Sequence, residues 1–509
     1  MATLRDRLTD PGFTPSVRQI GELLALAGSD EELEGAAKKA ILRIERQYAE
    51  RVLAEGVAAA RAAERPARGR LTALVAQLAK ASDPASAGRG WLLEALVDAD
   101  PKTRRAAVRG LGNLDRSPEI TAALGAAFDA STNEDDRKAL ALALGKAGDA
   151  RAKQKDFGKA AVIFEREDAR RTAATIDLDA SLVVPVWLHV RSGLEAIARE
   201  ELGGAGKLVS PGVLEATVNF RIASRIRTAM HVGLPQSPRA WKRDLAEEVV
   251  VLLAEALPVF RAFTKTEGPI RFRLSISAGK AVVWKIAELA RERVPGLLND
   301  PKESTWEVVV TTVGQRGTGS VRLELVPHAF VDERFAYRTE TVPASSHPTI
   351  AAALARVAPR RDDDVVWDPF TGAGAELVER AKLGKYARLV GTDVDPKALA
   401  AARTNLANAN VTATLTETDA TTYELRPTVI LTNPPMGRRV ERGAHADLLE
   451  RFASHAARIL APGGHLVWIV PPPSKRIFER AATAGLTLVS STTIDMGGFS
   501  GELSVHRKG

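Results

Sequence analysis

After Pro343 the sequence alternates between short β-rich runs and helical stretches, and this alternation restricts the fold more than any other feature of the chain. Strands that alternate with helices form parallel, doubly wound sheets, so the region 340–509 is predicted to be an α/β, Rossmann-like domain. The predicted strands are Val365–Asp368, Leu389–Asp393, Val429–Asn433 and His465–Val470, followed by a predicted closing pair at Leu486–Ser490 and Gly501–Val505.

Glycine, acidic or amide residues lie at the ends of the predicted strands of this domain. The segments are Asp368-Pro-Phe-Thr-Gly-Ala-Gly374, Gly391-Thr-Asp-Val-Asp-Pro396, Thr418-Asp-Ala420 and Thr432-Asn-Pro-Pro-Met-Gly437. Open α/β sheets bind ligands outside the carboxyl ends of their strands. The four segments are therefore expected to line a single site.

The first three segments indicate the kind of ligand. Glycines at a strand-to-helix turn let the backbone approach a ligand closely, and Asp393 is placed to accept hydrogen bonds from both hydroxyls of a ribose. Asp419 is placed beside an adenine amino group. The first loop lacks the third glycine of a dinucleotide-binding loop, which predicts that it holds no pyrophosphate. S-adenosylmethionine (AdoMet), which has a ribose and an adenine but no phosphate, fits this pattern.

These segments resemble the motifs of class I AdoMet-dependent methyltransferases that modify exocyclic amines. Upstream, His347–Leu354, preceded by Tyr337 and Arg338, resembles the entry helix of the THUMP-associated RNA methyltransferases. The resemblance implies AdoMet as the cofactor. The cofactor-binding residues that it implies are Asp368, Phe370, Thr371, Gly372, Gly374, Asp393, Val394, Asp419 and Ala420.

The fourth segment carries the predicted catalytic residues, which are Asn433, Pro434, Pro435 and Met436. An aromatic amine such as guanine N2 or adenine N6 is a poor nucleophile, because its lone pair is delocalised into the ring. The Asn433 side-chain oxygen and the Pro434 carbonyl can accept hydrogen bonds from the amine and so orient its lone pair. This scheme requires neither a metal nor a general base. Where the family usually has an aromatic residue after the prolines, this chain has Met436, which packs against a base less effectively than a ring.

Two basic segments are predicted to contact the phosphates of a nucleic acid. The residues are Arg438, Arg439 and Arg442 after the catalytic segment, and Arg239, Lys242 and Arg243 at the end of a stretch from Ala216 that has no acidic residue and also holds Arg221, Arg225 and Arg227. The net charge of +8 agrees with a nucleic-acid partner, although an Arg-rich composition alone produces the same value.

The region 181–335 is predicted to be an α+β domain, because β-rich runs such as Val183–Leu188 are interspersed with amphipathic helical segments. Several of its segments resemble the ferredoxin-like start and the THUMP module of the same methyltransferases. They are Gly193-Leu-Glu195 with Glu201-Leu202, and Ile270–Ser277 with Leu298–Lys302 and Trp306–Val310. The resemblance implies that this region binds a structured RNA.

The region 1–175 is predicted to be entirely helical, since Ala, Leu, Arg and Glu dominate it with apolar residues at helical spacing. Arg104–Gly112 and Arg137–Gly145 are similar to one another and begin 33 residues apart, 104 to 137. That offset resembles HEAT-like helical-hairpin repeats, with an Ala-rich bundle as the alternative. Either arrangement predicts a scaffold or a surface for a protein partner.

The composition excludes several other kinds of chemistry. The absence of cysteine excludes disulfides, thiol nucleophiles and cysteine-bound metals. The eight histidines have no paired spacing, so no metal site is predicted. The sequence also has no apolar run of the roughly 18 residues that would cross a bilayer, which predicts a cytoplasmic protein without a membrane partner.

Together these observations predict a multidomain protein with an all-α region, a THUMP- and ferredoxin-like α+β region and a C-terminal class I methyltransferase domain. The predicted activity is AdoMet-dependent methylation of an exocyclic amine in RNA, with guanine N2 of tRNA or rRNA as the expected target. A DNA adenine or protein glutamine methyltransferase is one alternative. A non-catalytic RNA-binding scaffold that retains the fold is another.

Overall fold

The computed structural model describes residues 4–8, 10, 13, 15–29, 31–79, 87–330, 332–343, 345–435 and 442–509, with the backbone alone at 155 and 442–445. The chain forms two compact units, Met1–Ala173 and Ala174–Gly509. The regions 181–335 and 340–509 lie together in the second unit. Among the described residues, no helix is both long and apolar enough to cross a membrane.

The first unit is helical, as the sequence predicts. Its α-helices are α1 (Leu4–Arg7), α2 (Ile20–Ser29), α3 (Glu34–Ala62), α4 (Ala67–Leu78), α5 (Ala87–Glu94), α6 (Pro101–Leu111), α7 (Pro118–Ala130), α8 (Glu134–Ala147) and α9 (Gly158–Ala169), and its 3-10 turns are Val17–Gln19, Ala95–Val97, Ala150–Lys153 and Lys155–Phe157. The two similar sequence segments lie in α6 and α8. Each of these helices begins at a side-chain cap, Asp100 for α6 and Asn133 for α8, and Arg104 joins them through an ion pair with Asp136 at 2.6 Å.

The middle of the chain forms a nine-stranded sheet with helices packed on one face. Its strands are β2 (Val183–Val190), β3 (Lys207–Ser210), β4 (Val213–Asn219), β5 (Ala229–Pro235), β6 (Arg239–Ala240), β8 (Ile270–Ile276), β9 (Leu297–Asn299), β10 (Trp306–Val313) and β11 (Ser320–Pro327), and β1 (Ala174–Ile176) pairs separately with β7 (Thr264–Thr266). The helices are α10 (Glu195–Glu201), α11 (Phe220–Ala223), α12 (Leu245–Ala262) and α13 (Lys280–Arg293). The strand order is β3-β4-β2-β5-β11-β10-β8-β9, and β6 pairs with β11 outside this order. Strand β8 is parallel to both β9 and β10.

The C-terminal part forms a seven-stranded sheet between two layers of helices. Its strands are β12 (Val365–Asp368), β13 (Arg388–Asp393), β14 (Thr414–Glu417), β15 (Val429–Thr432), β16 (His465–Val470), β17 (Leu486–Asp495) and β18 (Ser500–Lys508), and its helices are α14 (Pro348–Val357), α15 (Ala375–Ala381), α16 (Pro396–Asn408), α17 (Arg442–Ile459) and α18 (Lys475–Thr483). The order is β14-β13-β12-β15-β16-β18-β17, with the first five strands parallel. The predicted strands and closing pair are confirmed, but β18 is antiparallel to both of its neighbours, so the sheet is mixed.

Alternating side chains of the C-terminal sheet enter two different cores. Val366, Leu431 and Val467 join the large core that continues into the nine-stranded sheet, whereas Trp367 and Trp468 pack on the opposite face with α17. Because both faces of this sheet are buried, polar side chains can lie at the ends of its strands rather than on its faces. The carboxyl ends of β12, β13, β14 and β15 therefore form the edge at which a ligand binds.

Candidate active site

The turn after β12 has the geometry of a ligand-binding loop. Gly372 and Gly374 have φ angles of 50° and 82°, which L-residues with a side chain rarely adopt. A Cβ on Gly372 would meet no atom closer than the Phe370 carbonyl oxygen at 3.9 Å, so open space lies beside the turn. The Thr371 hydroxyl donates to the Asp368 carbonyl at 2.9 Å and holds the turn against the strand.

Asp393 at the end of β13 contacts this turn directly. Its carboxylate accepts hydrogen bonds from the backbone N–H of Gly372 at 2.9 Å and from that of Asp395 at 3.0 Å. The following residue, Val394, is 68% exposed, so an apolar surface lies next to the carboxylate. The two predicted segments at the ends of β12 and β13 are thus brought together.

The Asp419 segment follows β14 on the far side of β13. Asp419 is exposed, and the pKa of its carboxyl is lowered by hydrogen bonds from the backbone N–H and the hydroxyl of Thr421, both at 2.7 Å. Ala420 is buried. The carboxylate is therefore ionised at neutral pH and is available as an acceptor at this edge.

Asp368 ends β12 in a fully buried position. One carboxyl oxygen accepts a hydrogen bond from the Thr432 hydroxyl at 2.7 Å, and the other meets no donor among the described residues. Burial raises the pKa of this carboxyl well above its usual value, and the nearby Glu376 carboxyl raises it further.

Asn433 is held by two side chains, Ser346 and Glu376, that no sequence motif indicated. Its amide nitrogen donates to the Ser346 hydroxyl at 2.9 Å, and Ser346 donates in turn to the Glu376 carboxyl. The Asn433 side-chain oxygen is buried and has no donor among the described residues. Ser346 directly precedes the His347 cap of α14, so its position at the site depends on how that helix packs.

Glu376 is expected to make the stability of the protein depend on pH. Burial raises the pKa of its carboxyl from 4.5 to about 7, so the unfolded chain loses this proton at a lower pH than the folded chain. The free energy of unfolding is then expected to fall by about 3 kcal/mol as the pH rises from 4.5 to 7. Urea denaturation at several pH values in this range measures the effect. The free energy of unfolding should depend less steeply on pH in Glu376→Gln than in the wild type.

The pKa of Asp368 is also raised, so part of the dependence of the unfolding free energy on pH should remain in Glu376→Gln. The matched control is Glu288→Gln, which replaces an exposed carboxyl in α13 and should keep the wild-type slope. An unchanged slope in Glu376→Gln would contradict the prediction.

The other predicted residues of the catalytic segment are only partly described. Pro434 is buried and Pro435 is exposed at the end of β15. Met436, Arg438 and Arg439 lie outside the described residues. Arg442 begins α17, and its side chain is not described.

The basic stretch in the middle region does not form a continuous cationic face. Arg239 pairs with Glu255 at 2.6 Å and with Glu248 at 3.2 Å, whereas Lys242 and Arg243 are exposed. The prediction for Arg227 is wrong. Its guanidinium is largely buried against Glu379 of α15 at 2.5 Å, because this arginine faces the C-terminal sheet rather than solvent.

The observed residues fit the cofactor that the sequence predicts. A glycine turn bordered by open space, an adjacent carboxylate and an exposed apolar side chain match the ribose and adenine of AdoMet. The Asn433 side-chain oxygen, which meets no donor within the described ranges, adds a hydrogen-bond acceptor at the same edge. The fold and the site together define a class I AdoMet-dependent methyltransferase.

Comparison with known proteins agrees with this class. Residues 336–496 match the UPF0020 family, an RMKL-like methyltransferase domain, and residues 90–155 match HEAT repeats. The chain is 31% identical over 359 residues to the tRNA (guanine(6)-N2)-methyltransferase of Thermus thermophilus, covering 64% of this chain and all of that relative. The chain therefore belongs to the AdoMet-dependent methyltransferase family of that enzyme, and the predicted cofactor and enzyme class are confirmed.

Other relatives match over a smaller part of their length. The tRNA (guanine(6)-N2)-methyltransferase of Archaeoglobus fulgidus is 28% identical, with 45% of this chain and 64% of that protein covered. The ribosomal protein L11 methyltransferase of Geobacter metallireducens is 32% identical, with 29% and 46% covered. The crystal structure of TrmN from Thermus thermophilus shares the fold, with a TM-score of 0.52, 22% identity, and 64% of this chain and 99% of that one covered.

Proposed function

We propose that this enzyme methylates the exocyclic N2 amine of guanine in a structured RNA, with tRNA as the substrate. The observation that carries the proposal is the Asn433 side-chain oxygen at the carboxyl end of β15, a buried acceptor that meets no donor among the described residues. The names of two relatives, both tRNA (guanine(6)-N2)-methyltransferases, support guanine N2 in particular.

In this proposal the loops after β12, β13 and β14 hold the cofactor. Asp393 accepts hydrogen bonds from the ribose hydroxyls, Val394 packs on the adenine and Asp419 accepts from its amino group. The turn around the rest of the cofactor consists of Phe370, Thr371, Gly372 and Gly374. The bottom of the binding site is lined by Asp368 and Ala420. Bound AdoMet supplies an electrophilic methyl group.

The chain itself has to orient the amine. The Asn433 oxygen and the Pro434 carbonyl accept the two N–H groups of the amine, which turns its lone pair away from both acceptors and towards the cofactor. Because the amide nitrogen of Asn433 is fixed by Ser346, the amide keeps its oxygen directed into the site. Pro435 stiffens the loop, and Met436 is proposed to contact one face of the base.

The remaining parts of the chain are proposed to bind the RNA. The region 181–335 is proposed to act as a ferredoxin-like and THUMP-like RNA-binding domain, with the exposed Lys242 and Arg243 on phosphates. Arg239 belongs to the same proposed phosphate-binding stretch as Lys242 and Arg243. Arg438, Arg439 and Arg442 are proposed to contact phosphates beside the target nucleotide. The HEAT-like region is proposed to bind a protein partner, and the protein is proposed to act in the cytoplasm.

Loss of the Asp393 carboxylate is expected to weaken AdoMet binding about 10- to 100-fold, because hydrogen bonds to a charged group are worth about 1.5–3 kcal/mol. Isothermal titration of Asp393→Ala with AdoMet measures this effect. Asp363→Ala removes a carboxylate that is 82% exposed before β12, and it should bind as the wild type does. Wild-type affinity in Asp393→Ala would contradict the assignment.

The proposed substrate is tested with tritiated AdoMet and tRNA transcribed without modifications, with DNA and protein offered in parallel reactions. Label in the tRNA and N2-methylguanosine after digestion to nucleosides are the expected results. Methyl-adenine in the product, or label only in DNA or protein, would instead support the alternative substrates. A protein that binds AdoMet and labels none of them would support the scaffold alternative.

A further inference from the structure

Two imidazole rings and a carboxylate converge on the face of the nine-stranded sheet opposite its helices. His189, His231 and Glu324 lie on the adjacent strands β2, β5 and β11, and His189 is the direct cross-strand partner of His231. Their ligand atoms all lie within 4.8 Å of one another. Within the described part of the chain, no other group of three or more such side chains is as close together.

A glycine in β5 makes this arrangement possible. Side chains two residues apart in a strand lie on the same face, so a side chain on Gly233 would stand beside His231. A Cβ at Gly233 would overlap the Glu324 carboxylate, which extends across β5 at that point. Glu324 thereby reaches His189 on the second strand away, with 2.6 Å between the carboxylate oxygen and His189 Nε2.

The exposure of the three side chains suits an ion that enters from solvent. The side chains of Glu324 and His189 are 8% and 21% exposed, whereas His231 is exposed to solvent. The two imidazole rings are stacked with their centroids 4.2 Å apart.

We propose that His189, His231 and Glu324 bind a divalent first-row transition-metal ion such as Zn²⁺. Two imidazole nitrogens and one carboxylate oxygen form a known three-ligand set for zinc, with ligand distances of about 2.0–2.2 Å and a water in the fourth position. Imidazole nitrogens also favour zinc over Mg²⁺ and Ca²⁺. The ion would tie three neighbouring strands together. The proposal is independent of the RNA substrate.

The test is metal binding by the full chain after treatment with a chelator. Equilibrium dialysis with ZnCl₂ is expected to give one tight site per chain, and Zn²⁺ should raise the melting temperature. His189→Gln, His231→Gln and Glu324→Gln should each lower the affinity by more than the 10- to 100-fold that loss of an outer-shell partner causes. His328→Gln, which replaces an exposed histidine beside Arg273, is the matched control and should bind as the wild type does.

X-ray absorption of the zinc-loaded wild type keeps the test valid if a variant fails to fold. Two imidazole ligands at about 2.0 Å are expected. The proposal is overturned if the wild type binds no zinc at micromolar concentration, or if the spectrum lacks imidazole. Equal zinc binding by a folded His189→Gln/His231→Gln double variant would overturn it as well.

Discussion

Replacing Asn433 with alanine is expected to lower the rate of methyl transfer to RNA by about 100- to 1,000-fold, the usual effect of removing one hydrogen-bonding group from a preorganised site. The substitution removes the buried oxygen that meets no donor in the described part of the chain and is proposed to accept from the substrate amine. AdoMet is proposed to contact other loops, so its affinity should be unchanged. Single-turnover transfer and AdoMet titration separate the two effects.

Two further variants test whether the loss of activity is due to the Asn433 side-chain oxygen. Asn408→Ala removes an exposed amide at the end of α16 and should keep the wild-type rate. Asn433→Asp keeps an acceptor but places a third carboxyl near Ser346, Glu376 and Asp368. Since a buried carboxyl beside others resists ionisation, its residual activity should depend on pH more steeply than that of the wild type. Full activity in Asn433→Ala would refute the catalytic assignment.

Glu379→Ala is expected to reduce the free energy of unfolding of the second unit by about 3–5 kcal/mol, because it leaves a buried cation without its partner. Glu379 is 1% exposed, and Arg227 reaches it with two nitrogens at 2.5 and 2.7 Å. The Tyr337 hydroxyl donates to the same carboxylate at 2.9 Å. Urea denaturation followed by tryptophan fluorescence measures the loss.

The exposed pair of Arg221 and Asp179 provides the control. Its side chains are 50% and 65% exposed, so Asp179→Ala should change stability by about 1 kcal/mol or less. An apolar double variant, Arg227→Met with Glu379→Leu, should recover part of the stability that Glu379→Ala loses. A loss in Glu379→Ala no larger than that in Asp179→Ala would contradict the prediction.

The pair also joins the two parts of the second unit, whose sheets share an apolar core. Arg227 lies between α11 and β5, and Glu379 lies in α15, so the ion pair joins the middle region to the C-terminal sheet. Arg356 of α14 makes a second link, to Glu201 of α10, at 2.7 Å. The two links connect the nine-stranded sheet to α15, which carries Glu376, and to α14, which begins two residues after Ser346. The two side chains that hold Asn433 therefore lie on segments that are tied to the proposed RNA-binding region.

The sequence predicted the parts of the site that depend on local structure. The bounds of β12 and β16 agree with the predicted runs, because apolar strands that end at glycine, proline or asparagine are defined within a few residues of chain. Asp393 lies at a predicted strand end and contacts Gly372 as a parallel sheet requires. The order of these motifs along the chain, together with their resemblance to class I methyltransferases, predicted the cofactor and the enzyme class.

The tertiary structure decided everything that depends on distant segments. Ser346 and Glu376 hold Asn433 only because α14 packs against both β15 and α15, and Arg227 is buried only because a carboxylate of α15 meets it. His189 and Glu324 are 135 residues apart, so no spacing rule joins them. Periodicity and turn residues act over a few positions, whereas the neighbours of a strand are set by packing of the whole sheet.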